Sequence, residues 1–224
     1  MTRDMYGSMA GPSAWMMTSV WDGRHLLLLW TMWAVMMAAM MLPSAWPMLA
    51  MYGTFSERQQ PGLRHSSHLY LFAGGYVVVW ALYSVLATIL QRALAGLLLL
   101  SPMMELASPT ASAAFLILAG IYQMTPLKRV CLRQCRSPLS FLFGHWRPGS
   151  LGALRMGLAH GAYCVGCCWA LMLLLFVGGV MNLYVIAALT TLVVVEKITQ
   201  TGELGSRVTG GVLIALGVWI LARS

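Results

Sequence analysis

Long apolar runs separated by short polar breaks dominate this chain. Their lengths predict an all-α, polytopic membrane helix bundle with about six transmembrane helices. The first run covers about His25 to Tyr52 and is interrupted late by Pro43 and Pro47. The second extends from His68 to about Leu90, the third from Thr110 to Pro126 and the fourth from Gly157 to Met181. The fifth, "LYVIAALTTLVVVEKI", is short and ends in charge, and the sixth covers Val208 to Ala222. Residues 1–224 therefore read as a single transmembrane domain, with 1–25 as an external N-terminal tail and 127–156 as a basic cytoplasmic loop. Asp4, Pro12 and Asp22 precede the first run, so no cleavable signal peptide is expected.

Composition sharpens this picture. The chain is 59% hydrophobic and only 9% charged, with mean hydropathy +0.76, where soluble domains carry about 25% charged residues. The net charge of +8 would suit nucleic acid in a soluble protein. Here it is accounted for by loop lysines and arginines, and no nucleic-acid partner is expected. Lys128, Arg129, Arg133, Arg136, Arg147 and Arg155 lie between the third and fourth runs. Alternation then puts Arg58, Arg64, Lys197 and Arg207 on the same side, leaving Arg3, Arg24, Arg92 and Arg223 opposite. This bias makes the long loop cytoplasmic and both termini external. Gly74-Gly75, Gly178-Gly179 and Gly210-Gly211 offer close helix approach. No internal repeat is evident, which argues against an inverted-repeat transporter.

The fourth run carries the chemistry. In "LAHGAYCVGCCWALM", helical spacing sets Cys164 about 40° from His160, Cys167 about −20° and Cys168 about 80°. The four side chains occupy an arc of about 100°, and Met172 continues it. Zinc is less favoured, because no second Cys/His pair follows at zinc-finger spacing. A redox Cys-x-x-Cys would ordinarily stand at a helix N-terminus, where the dipole helps the thiolate. Thiolate and thioether donors in an apolar setting select Cu(I). Buried cysteine acting only as a small hydrophobe is the competing explanation.

The first run adds soft donors. Met32, Met36 and Met40 form one column at helical spacing, and Met37 and Met41 form a second beside it. Methionine often fills cores, but 18 methionines in 224 residues and the nearby cysteine face favour metal chemistry. The expected metal ligands are His160, Cys164, Cys167, Cys168, Met36, Met37, Met40 and Met41. Pro43 and Pro47 free backbone carbonyls and predict a kink facing a cavity or partner helix. Cys131 and Cys135, at i, i+4 in the basic loop, read either as a pair that, on a helix, captures Cu(I) from the cytoplasm or accepts it from the membrane site, or as two cytosolic thiols with no partner. Met5, Met9, Met16 and Met17 read as an external collecting tail, and Met103, Met104 and Glu105 as an outward ligand set. His65 and His68 read as interfacial. Glu196 and Lys197 are either a charge pair at the interface or, for the carboxylate, a group facing the bundle.

Together "MMAAMMLPSAWPM", "YQMTPLK", "CLRQCRSP", "CVGCCWALM", "GGVMN" and "EK" resemble a bacterial domain-of-unknown-function family of predicted metal-binding integral membrane proteins. The resemblance covers about Trp30 to Lys197 and implies a multi-helix membrane protein that binds metal, with a bacterial inner (cytoplasmic) membrane as its location. The function expected from these readings is Cu(I) binding in copper transfer, transport or cuproenzyme assembly. The lipid bilayer is one partner, and a metallochaperone, a cuproenzyme or another membrane subunit is another. Two alternatives stand beside it. One is a membrane thiol–disulfide oxidoreductase using Cys164/Cys167, Cys131/Cys135 and a quinone. The other is a subunit of a larger complex in which these residues only pack. No phosphate-binding loop is present, so an ATP-driven pump is excluded for this chain alone.

Overall fold

A computed structural model describes residues 22–59, 65–101, 104–199 and 202–223. The methionines of the proposed collecting tail, Met103, Arg64 and the side chains of Arg58 and His65 lie outside the described residues. The described residues form nine helices and no strand. In order they are α1 (Gly23–Gln59), α2 (His65–Gly96), α3 (Pro109–Met124), α4 (Pro126–Arg136), α5 (Pro138–His145), α6 (Gly149–Met172), α7 (Leu175–Gly178), α8 (Leu183–Ile198) and α9 (Gly202–Arg223).

Local chemistry marks the boundaries. The Asp22 carboxylate accepts from the His25 amide at 2.8 Å and opens α1. Ser108, Thr125 and Asn182 cap α3, α4 and α8 with side-chain oxygens. Pro109, Pro126 and Pro138 stand in first turns, where a missing amide costs nothing. The α3–α4 junction bends by 66°. α1 remains one helix through Pro43 and Pro47.

Four helical segments are long and apolar enough to cross a membrane: Gly23–Glu57, Ser67–Gly96, Gly149–Gly178 and Gly202–Arg223. Counting the bent α3–α4 pair as one span raises the number to five, against the six runs expected. The shortfall is one of length. α3 and α8 have 16 residues each, or about 24 Å of helix, and a hydrocarbon core is about 30 Å thick. The fourth run also starts earlier than its hydropathy implies, at Gly149 rather than Gly157. Within 127–156 the basic segment is largely helical, comprising α4, α5 and the first turns of α6.

α6 is the central element, packed chiefly against α2 and α4, while α9 packs on α3. Backbone proximity depends on glycine. A Cβ on Gly157 would stand 2.0 Å from the Phe72 carbonyl oxygen, and one on Gly75 2.6 Å from that of Leu154. The α3–α9 contact is built the same way around Gly120 and Gly210. Of the glycine pairs expected to serve this purpose, Gly75 and Gly210 do so, whereas Gly74 and Gly211 face open space. Gly179, with φ 90°, ends α7 in a conformation that suits glycine. The buried face of α1 reads Leu29, Trp33, Met37, Met41, Met48 and Tyr52, a helical repeat that meets α2 and α8. Large apolar side chains including Leu27, Trp46, Leu82, Leu86 and Leu204 point outward from the bundle.

Candidate metal centre

α6 turns His160, Cys164, Cys167, Cys168 and Met172 into the interior, as the helical spacing predicts. The three cysteines are at most 2% exposed. Deep burial of thiols is ordinary for cysteine; their surroundings are not. The Lys197 ammonium donates to the Cys164 sulfur at 2.9 Å and to the Ser44 hydroxyl at 2.8 Å. The Tyr76 hydroxyl lies 3.1 Å from the same sulfur and also donates to the Met41 carbonyl at 3.2 Å. Thus α1, α2, α6 and α8 all converge on Cys164.

The other sulfurs gather around it. Cys167 and Cys168 donate to the Cys164 carbonyl at 3.1 and 2.9 Å. The Cys168 sulfur is also 3.9 Å from the Met41 thioether. From α4, Cys135 stands close enough to Cys164 and Cys167 to interact electrostatically with both. One turn earlier, the Cys131 sulfur lies 2.8 Å from where a Cβ on Gly166 would stand, so α4 rests directly on the α6 backbone. All five cysteines are free thiols. Among the described residues, no three His, Cys, Asp or Glu side chains form a ready-made metal-holding group. Two of the thiols are turned onto a helix carbonyl. Rotating Cys167 and Cys168 about χ1 would free both sulfurs, and the Met41 thioether supplies a further soft donor.

The remaining expected ligands divide. Met37 and Met40 are buried in the same core as the sulfurs, and Met36 is half-buried at its side. His160 shares the cysteine face but stands in an aromatic box. Its ring lies 5.4 Å from that of Phe141, 5.8 Å from Tyr76 and 6.1 Å from Phe72, and its Nδ1 has no hydrogen-bond partner. Met104 is buried at the far end of the core with φ 58°. Its sulfur accepts from Gln91 at 3.3 Å, and Gln91 in turn accepts from the Trp33 indole at 2.6 Å.

Glu196 and Lys197 are adjacent in sequence but do not pair with each other. Glu196 binds Lys128 at 2.6 Å and accepts from Gln123 at 3.1 Å, and Lys128 also donates to Gln123. Lys128 is fully buried and Glu196 is 4% exposed. This knot ties the end of α3, the start of α4 and the end of α8 together, and turns Lys197 toward the sulfurs. Tyr76 and Ser44 escaped sequence reasoning because an isolated hydroxyl in an apolar helix has no distinguishing pattern. Lys197 was visible as a charge, but its partner lies 33 residues away.

The family model described as PpoB2, copper chaperone, matches residues 30–220 of the chain. That match contains every residue of the sulfur cluster and its polar neighbours. No curated protein and no solved structure matches the chain.

Proposed function

Because this chain belongs to the PpoB2 copper chaperone family, we propose that it is a membrane-embedded carrier of Cu(I), holding the ion between Cys164, Cys167, Cys168 and Met41. One observation carries the reading. Three buried thiols and a thioether lie together beside a single ammonium, which touches the central sulfur. Soft donors of this kind prefer Cu(I) to zinc or to hard ions. Charge supports the same ion. Cu(I) held by two thiolates carries one net negative charge, and the Lys197 ammonium offsets it where water cannot. The metal is cargo in this account.

Met37 and Met40 extend the soft lining away from the cysteines along α1 and offer weak, neutral donors for onward movement. His160 belongs to the neighbouring aromatic box and orients that wall of the pocket. The lengths of α1, α2, α6 and α9 and the outward apolar faces of α1, α2 and α9 support embedding in a bilayer. The concentration of lysine and arginine in α4, α5 and the start of α6 supports a bacterial cytoplasmic membrane with that segment on the cytoplasmic side. The acceptor is a cuproenzyme or a further copper carrier, which receives the ion by ligand exchange.

Anaerobic titration of the purified protein with Cu(I), followed by removal of loose metal and elemental analysis, tests this reading. The expected result is about one tightly held copper per chain, and the same protein offered Zn(II) is expected to retain little. A wild-type protein that retains no copper, or that prefers zinc, contradicts the proposal. A protein whose cysteines cycle between thiol and disulfide with a quinone, with no effect of copper, would instead be an oxidoreductase.

A further inference from the structure

A cluster buried to this degree needs a way in, and one cavity reaches it. An open cavity of about 170 Å³ is lined by Ser44, Met48, Cys135, Arg136, Pro138 and Lys197, among others. Three of these residues also belong to the sulfur cluster's immediate surroundings. Lys197 touches both Ser44 and Cys164, and Cys135, lining the same cavity as Lys197, is near enough to Cys164 and Cys167 to interact electrostatically with both. The three α6 cysteines are sealed, but Cys135 is partly exposed. It is therefore the sulfur that faces the cavity and the buried thiols at once.

The cavity's charge also has a direction. Arg136 and Lys197 line it, and among the described residues no carboxylate does. The nearby acids are engaged elsewhere, Glu196 with Lys128 and Glu203 with Arg133. Arg136 is held in place by donation to the Thr199 carbonyl. A soft donor between two cations suits an anionic thiolate complex of the metal better than a bare cation.

We infer that this cavity is the loading site and Cys135 its transfer ligand, accepting Cu(I) from an anionic Cu(I)–thiolate donor and passing it to Cys164 and Cys167. This rests on the Cu(I) reading given above. In the first exchange the bond from copper to the donor sulfur breaks and a bond to the Cys135 sulfur forms. The proton lost by Cys135 leaves with the released donor thiol. In the second exchange the bonds from copper to Cys135 and to the donor's second sulfur break as bonds to Cys164 and Cys167 form, and the two protons these thiols lose pass to Cys135 and to the second departing donor thiol. Copper remains Cu(I) throughout, so no oxidant or reductant is required. Met48, on the cavity wall, offers a transient thioether contact during passage.

Stopped-flow loading of the full-length detergent-solubilised protein from Cu(I)–glutathione tests the inference. Cys135→Ser is expected to slow loading by at least about 10-fold, the scale on which loss of a metal site's supporting group acts. Copper per chain at equilibrium is expected to stay close to that of wild type. Loading of C135S at the wild-type rate would overturn the inference, because the metal would then have another route. Loss of copper at equilibrium in C135S would also overturn it, by making Cys135 a permanent ligand. The Arg136→Gln variant examines the donor's charge. It is expected to slow loading from anionic Cu(I)–glutathione more than from the cationic Cu(I)–acetonitrile complex. Equal slowing with both donors contradicts an anionic donor. If wild-type protein takes copper from neither donor, the Cu(I) reading itself fails, a result distinct from any change confined to C135S.

Discussion

Cys164→Ser is expected to weaken Cu(I) binding by more than about 100-fold, beyond the 10- to 100-fold that a supporting group around a metal ordinarily contributes. The expectation follows from where this sulfur stands. It is the one contacted by the Lys197 ammonium at 2.9 Å and the Tyr76 hydroxyl at 3.1 Å. Its own carbonyl receives the thiols of Cys167 and Cys168. Serine keeps the volume and can keep the hydrogen bonds to Lys197 and Tyr76, so the fold should survive. What it removes is the soft donor, and a hydroxyl is a poor ligand for Cu(I). Competition with a chromophoric Cu(I) chelator measures the loss. Affinity within a few-fold of wild type would mean that the ion is not held at this position.

The second large effect concerns stability. Glu196→Leu leaves the Lys128 ammonium buried with only the Gln123 amide as partner. Breaking a buried ion pair from one side costs about 3–5 kcal/mol. For a chain of this size that corresponds to a fall of roughly 10 °C in the thermal midpoint. Replacing both ions, with Lys128→Met and Glu196→Leu together, removes the stranded charge and should recover most of the loss. Differential scanning fluorimetry in one detergent compares the three proteins directly. A single variant that melts with wild type would show that the knot does not hold α3, α4 and α8 together. Because Glu196 precedes Lys197, the single variant should also lower copper affinity even below its melting range.

The chemistry was legible where it was local. Cys164, Cys167 and Cys168 occupy one face of α6 because their spacing matches a helical repeat, and α1 buries Met37 and Met41 for the same reason. The bounds of α8, Leu183–Ile198, match the short run that ends in charge. Long-range features were hidden. Lys197 reads as an interfacial charge until α8 is placed against α6, and Lys128 reads as one more loop cation until the 66° bend turns α4 inward. The start of α6 was obscured by "GSLGALRMG", whose glycines and arginine resemble a loop. Of those glycines Gly157 admits the α2 backbone at Phe72, an effect of packing that hydropathy does not register. Apolar content is clear in α3 and α8 while their shortness is not, and four segments, or five with the bent pair, are long and apolar enough to cross.

The central claim is that copper sits among sulfurs, counter-charged by Lys197, and not on the adjacent imidazole. X-ray absorption at the copper K-edge on anaerobically loaded protein addresses this most directly. The account predicts an edge characteristic of Cu(I) with sulfur scatterers alone in the nearest shell. That shell should be unchanged in His160→Ala and lost or depleted in a Cys167→Ser, Cys168→Ser double variant. A nearest shell containing imidazole nitrogen that disappears in His160→Ala, or a shell indifferent to the cysteine changes, would contradict it.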